Sequence, residues 1–191
     1  MNTMTWSEYF AYTQNLLSAD QPPAPYDNPD YFQYTKLNAT RMKRWIKTNP
    51  ITEAAISAVQ AIEKPQTWVV ITEPWCGDAA HIVPILYLMS ELNDRITFQI
   101  QLRDSGSEID QYLTGTSKSI PMLIVRDETG RDLFVWGPRP KEAQGMYLKL
   151  AAQKATFEVV KNAIQTYYNA DKSLSIQSEV TEKLKALRLV A

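Results

Sequence analysis

Apolar and polar positions along the chain change period near Pro65, and that change divides it into two kinds of structure. Before it, the spacing is helical. Trp6, Tyr9, Phe10, Thr13, Leu16 and Leu17 predict a helix over 5–17. The segment 18–30, with four prolines among Asp and Asn, breaks regular structure. Tyr34, Leu37, Met42, Trp45 and Ile46 share one face of a second helix over 31–47, with Arg41, Lys43, Arg44 and Lys47 read as its solvated face. Pro50 opens a third helix, 51–63.

Beyond Pro65 the pattern alternates between strands and helices. Residues 68–72 form a continuous apolar run, the pattern of a strand buried on both faces. A helix follows over 78–92, with Ile82, Ile85, Leu86 and Met89 inward. Residues 96–102 alternate strictly, as in a half-covered strand. A short helix over 107–113 ends at Gly115, and 122–125 is a second continuous apolar strand. The Asp127–Gly130 turn leads into a strand over 132–136. Pro140 opens one long helix to about Tyr168, and a last helix spans 175–187. The two βα units predict parallel strands with right-handed crossovers, and the last two strands an antiparallel hairpin. The fold class is α/β, a mixed sheet flanked by helices. We divide the chain into a helical extension (1–63), a core domain (64–168) and a C-terminal helical segment (169–191).

Composition narrows the function classes. A net charge of −1 and no evident basic patch argue against nucleic acid. No apolar stretch reaches the roughly 18 residues of a membrane helix, and the first residues lack the pattern of a secretory signal. With a single cysteine there is no disulfide framework, so the expected location is the cytoplasm.

That cysteine is the candidate for chemistry. Cys76 sits in Pro74-Trp75-Cys76-Gly77-Asp78, where a strand turns into a helix. Helix N-termini stabilise a thiolate, so the functional reading gives Cys76 a lowered pKa and a catalytic role. The competing reading makes it a buried, inert apolar residue. Asp78 either caps the helix or, as a charge near sulfur, opposes the thiolate. His81, the only histidine, does not share a helix face with Cys76 and Asp78, so we assign no metal and give it a surface or packing role.

The ordered set of motifs resembles the thioredoxin superfamily. Thioredoxins carry W-C-G-P-C at this turn. Here Trp75, Cys76 and Gly77 match, and Pro84 falls eight residues after the cysteine, where thioredoxins place a kink proline. Ser119-Ile120-Pro121 matches the loop of the family's cis proline, and Gly130 and Gly137 match the hairpin glycines. More narrowly, Thr35-Lys36-Leu37-Asn38, Trp75–Ala79, Ser119–Pro121 and Trp136–Pro140 resemble a bacterial thioredoxin-like family of poorly defined function. The resemblance implies a groove framed by Trp75, Gly77, Asp78, Ile120, Pro121, Gly137 and Arg139, with Arg103 at the same sheet end. The two guanidinium groups would stabilise a thiolate, grip a substrate carboxylate, or simply pair with Asp104, Asp78 or Glu73. Two departures stand out. Asp78-Ala79 replaces the family's Pro-Cys, so the resolving cysteine is gone, and its buried acid falls on Val70.

Three functions follow. In the first, Cys76 performs monothiol disulfide or peroxide chemistry, and a low-molecular-weight thiol resolves it. In the second, the groove binds a partner protein without turnover. In the third, two chains form a homodimer through Cys76 or a shared cluster. No resident cofactor is implied by the first two.

Overall fold

In the computed structural model, which describes residues 2–188, seven α-helices surround one four-stranded sheet. The chain runs α1 (Trp6–Ser18), α2 (Pro29–Thr48), α3 (Glu53–Gln60), β1 (Gln66–Thr72), α4 (Ala79–Ser90), β2 (Ile96–Leu102), β3 (Met122–Asp127), β4 (Asp132–Trp136), α5 (Lys141–Ala152), α6 (Phe157–Asp171) and α7 (Leu174–Arg188). Helix starts follow their capping chemistry. Thr5 and Glu8 form a reciprocal capping box on α1, Asn28 caps α2 ahead of Pro29, and Thr52 caps α3.

The sheet order is β2-β1-β3-β4. The apolar run of β1 is central, paired in parallel with β2 and antiparallel with β3. Trp68, Val70 and Ile71 of β1 and Ile82, Ile85, Leu86 and Met89 of α4 belong to the core, with almost no accessible surface. The alternating strand β2 lies at the sheet's edge, where Met4 exchanges two 2.8 Å backbone hydrogen bonds with Ile100. The final hairpin turns at Gly130, which has φ 84° and donates its N–H to the Asp127 carbonyl at 3.0 Å.

Two expectations fail. The second βα unit does not give a parallel strand, because β3 runs antiparallel to β1. Residues 107–113 supply only a 3-10 turn, Ile109–Gln111, with Ile109 its sole buried side chain. That is too short to act as a crossover helix, and the chain returns by a loop. The single helix expected from Pro140 to Tyr168 is two helices. α5 ends in a Schellman motif: Lys154 takes φ 54°, its N–H reaches the Ala151 carbonyl, and the Ala155 N–H reaches the Leu150 carbonyl. Thr156 then caps α6 by accepting from the Val159 N–H. No glycine or proline occurs in 150–157, so the usual punctuation is missing.

The flanking helices pack on this core, α2 against α4 and α3 against α7. No helix among the described residues is long and apolar enough to cross a membrane.

Candidate functional site

The turn between β1 and α4 is fixed from three sides. The Cys76 N–H donates to the Glu73 carbonyl at 3.1 Å. From α2, Asn38 Nδ2 donates to the Pro74 carbonyl at 3.0 Å. The Ile120–Pro121 peptide bond is cis, and the Ile120 carbonyl faces the turn. Next to it lies the Gly137–Pro140 loop, where Gly137 has φ 134° and a Cβ would sit 2.5 Å from the Pro121 oxygen. Only glycine allows that approach. Glu179 of α7 holds both ends of this loop, accepting from Trp136 Nε1 at 2.8 Å and the Lys141 N–H at 2.7 Å.

Cys76 occupies the helix-start position expected for it, but not in the expected state. It is 6% exposed, and its Sγ lies 3.5 Å from the Ile120 carbonyl, to which the thiol donates. Burial pushes the thiol up to about 12, and the Asp78 carboxylate adds to the rise. The Ala79 and Asp78 N–H groups and the Arg139 charge pull the other way and lose. The lowered pKa expected from the helix N-terminus is therefore corrected: desolvation outweighs the dipole.

The expected cap role of Asp78 is also overturned. Asp78 is already in helical geometry and makes no side-chain cap. Its carboxylate turns inward, where Oδ1 accepts from the Tyr168 hydroxyl at 2.8 Å and Oδ2 pairs with Arg139 Nη2 at 2.7 Å. Burial still raises the carboxyl's pKa. Arg139 also donates to Gln144 at 3.1 Å and lies 4.3 Å over the Tyr147 ring.

The two arginines do not converge on the sulfur as one cationic pair. Arg103 makes a two-point contact with Asp104, at 2.8 and 2.9 Å, and its guanidinium stacks 4.7 Å over Trp75. Tyr31 packs edge-on against the same indole at 5.4 Å. Beside this corner a polar cleft of about 470 Å³ is lined by Arg103, Asp104, Ser117, Lys118, Ser119 and Tyr147. Of the sequence-selected residues, Cys76, Asp78, Ile120, Pro121 and Arg139 come together, and all but Arg139 are buried. Gly77 is exposed, while Trp75, Gly137 and Arg103 lie partly at the surface.

A protein-family model described as Thioredoxin matches residues 25–156. The chain belongs to that thioredoxin family. Among solved structures, a Pseudomonas aeruginosa protein of unknown function superposes with a TM-score of 0.59 at 18% identity, covering 96% of this chain and 98% of that one. An HIV epitope-scaffold gives 0.60 at 17%, covering 96% and 99%. At these identities both are likenesses of fold. No curated protein matches the chain.

Within this thioredoxin scaffold several residues escaped the sequence reading. Tyr168, which holds Asp78, lies 90 residues from it, and no local pattern connects the two. Glu73 is buried and accepts from the Tyr26 hydroxyl and the Asp104 N–H, both at 3.0 Å, while burial raises its pKa. Tyr26 itself comes from the proline-rich breaker segment, where a lone aromatic among turn residues was the available signal. Of the surface and packing roles left open for His81, the structure shows packing: the ring is buried. It accepts from Trp45 Nε1 on Nδ1 at 3.1 Å, so Nε2 carries the proton and donates to Gln165 at 3.2 Å. Its ring stacks on Tyr168 at 4.6 Å, and burial lowers its pKa to about 4.

Proposed function

We propose that this thioredoxin-family chain is a binding protein, whose single thiol is a covered, protonated structural group in the resting state. One observation carries this reading: Cys76 is 6% exposed, donates to the Ile120 carbonyl, and has the buried Asp78 carboxylate as a close neighbour. A nucleophilic thiol needs the thiolate and access to it, and both are opposed here. The accessible features lie beside it: Trp75 under Arg103, and the polar cleft that ends at Ser119. A polar segment of a partner protein fits there, with its side chains against Trp75 and its backbone groups near Ser117 and Ser119.

Peptides selected by phage display against the immobilised protein test this. They should bind Cys76→Ser as tightly as the parent and bind Arg103→Glu at least about tenfold more weakly. Binding that requires Cys76, or that proceeds through a mixed disulfide with it, contradicts the reading.

Monothiol exchange has one observation in its favour. The N–H groups of Asp78 and Ala79 and the Arg139 charge all act on Cys76 in the direction that favours a thiolate. In that chemistry the Cys76 thiolate attacks a mixed disulfide, one thiol leaves, and an external thiol resolves the new disulfide. It requires the covered sulfur to become accessible and ionised, so thiol reactivity separates the two readings.

A further inference from the structure

A second surface, on the far side of α2 from the Cys76 turn's chemistry, combines an apolar floor with unmatched charge. Between α1 and α2 runs a groove of about 220 Å³ lined by Trp6, Phe10, Lys43, Ile46 and Lys47. Its floor is rigid. Trp6 stacks on Tyr87 at 5.0 Å with an 11° interplanar angle and on Phe10 at 5.9 Å. Its rim is cationic. Lys43 lies 5.7 Å over the Phe10 ring and donates to Gln14, and Lys47 is exposed in the last turn of α2. Among the described residues neither lysine has a carboxylate at ion-pair distance.

The imbalance extends over the whole element. α2 carries Lys36, Arg41, Lys43, Arg44 and Lys47 against the single acid Asp30, in a chain whose net charge is −1. On α1 the only acid, Glu8, is used in the capping box. A solvated helix face ordinarily mixes signs, as α6 does where Lys161 pairs with Glu158.

We infer that the α1–α2 groove is a docking site for an acidic segment of a partner protein that inserts one large apolar side chain between Trp6, Phe10 and Ile46 while its carboxylates meet Lys43 and Lys47. The groove volume suits a single aromatic anchor, and the lysines supply complementary charge at its rim. Aromatic anchors flanked by charge pairs are the usual energetic core of such contacts.

The test uses the full chain and a synthetic fluorescein-labelled peptide in which one Trp is flanked on both sides by Asp and Glu. Fluorescence anisotropy should give a dissociation constant below about 100 µM that weakens as salt rises. The surface variant K43E/K47E should weaken binding about tenfold or more. The matched control K149E/K185E makes the same charge change at exposed positions on α5 and α7 and should leave binding within about twofold. Circular dichroism of both variants confirms that each is folded. An undetectable parent complex, or equal losses in the two double variants, overturns the proposal. Vesicles of phosphatidylserine and phosphatidylcholine that bind through Lys43 and Lys47 where the peptide does not would also overturn it, in favour of an anionic membrane surface.

Discussion

Cys76 and Arg103 lie at the same end of the sheet, but their surroundings are opposite. Around Cys76 the thiol and the Asp78 carboxylate are turned inward and paired, the thiol with the Ile120 carbonyl and Asp78 with Arg139 and Tyr168, while Trp75 Nε1 and Arg139 Nε are buried with no hydrogen-bond partner among the described residues. Around Arg103 the groups are partly solvated: its guanidinium lies over the Trp75 ring at the surface, and the Ser117–Ser119 cleft beside it stays open. Thiols at helix starts are expected to ionise, but that holds only where water reaches the sulfur. Here burial and one acidic neighbour reverse the sign.

The sharpest break in this comparison comes from the two arginines. Arg139→Leu strands the Asp78 carboxylate in the interior, and urea unfolding should show a loss of about 3–5 kcal/mol. Arg103→Leu removes a pair at the surface, where the expected cost is below about 1 kcal/mol. Equal losses would mean that the two sites do not differ as described.

The next effect is in the acid limb of stability. His81 is buried and neutral, with a folded pKa of about 4 against an ordinary 6.5. The unfolded chain therefore takes up the proton first. Stability from this group is complete above about pH 6.5 and lost as pH falls towards 4, by about 3 kcal/mol in all. Unfolding measured across that window should show the slope in the parent and not in His81→Gln. A slope of the same size in the variant would remove His81 as its source.

A smaller effect should separate the two partners of Asp78. Tyr168→Phe keeps the Arg139 pair and removes one hydrogen bond, so the loss should be about 1–3 kcal/mol, less than for Arg139→Leu. A loss larger than that of Arg139→Leu would make the hydroxyl the principal support.

How much of this was legible depends on whether the cause is local. β1, α4 and the β3–β4 hairpin were legible because each follows from a run, a period or a turn within a few residues. The Ile120–Pro121 loop and Gly137 were legible through motif spacing. The break between α5 and α6 was not, because Lys154 takes a positive φ that glycine usually marks. The antiparallel direction of β3 was missed because residues 107–113 look helical but bury only Ile109. The state of the thiol was the deepest miss. Its position could be read from Trp75-Cys76-Gly77, but its partner is the carbonyl of residue 120, and Asp78 is held inward by Arg139 and by Tyr168 of α6. Those contacts exist only in the folded molecule.

The pH dependence of iodoacetamide alkylation at Cys76, followed by mass spectrometry on the native protein, addresses the covered thiol directly. We predict slow modification with no inflection up to about pH 10, and rapid modification once the chain is unfolded in guanidinium. An inflection at or below the free-cysteine value of about 8.5 in the native protein would contradict the account and return Cys76 to the role of a nucleophile.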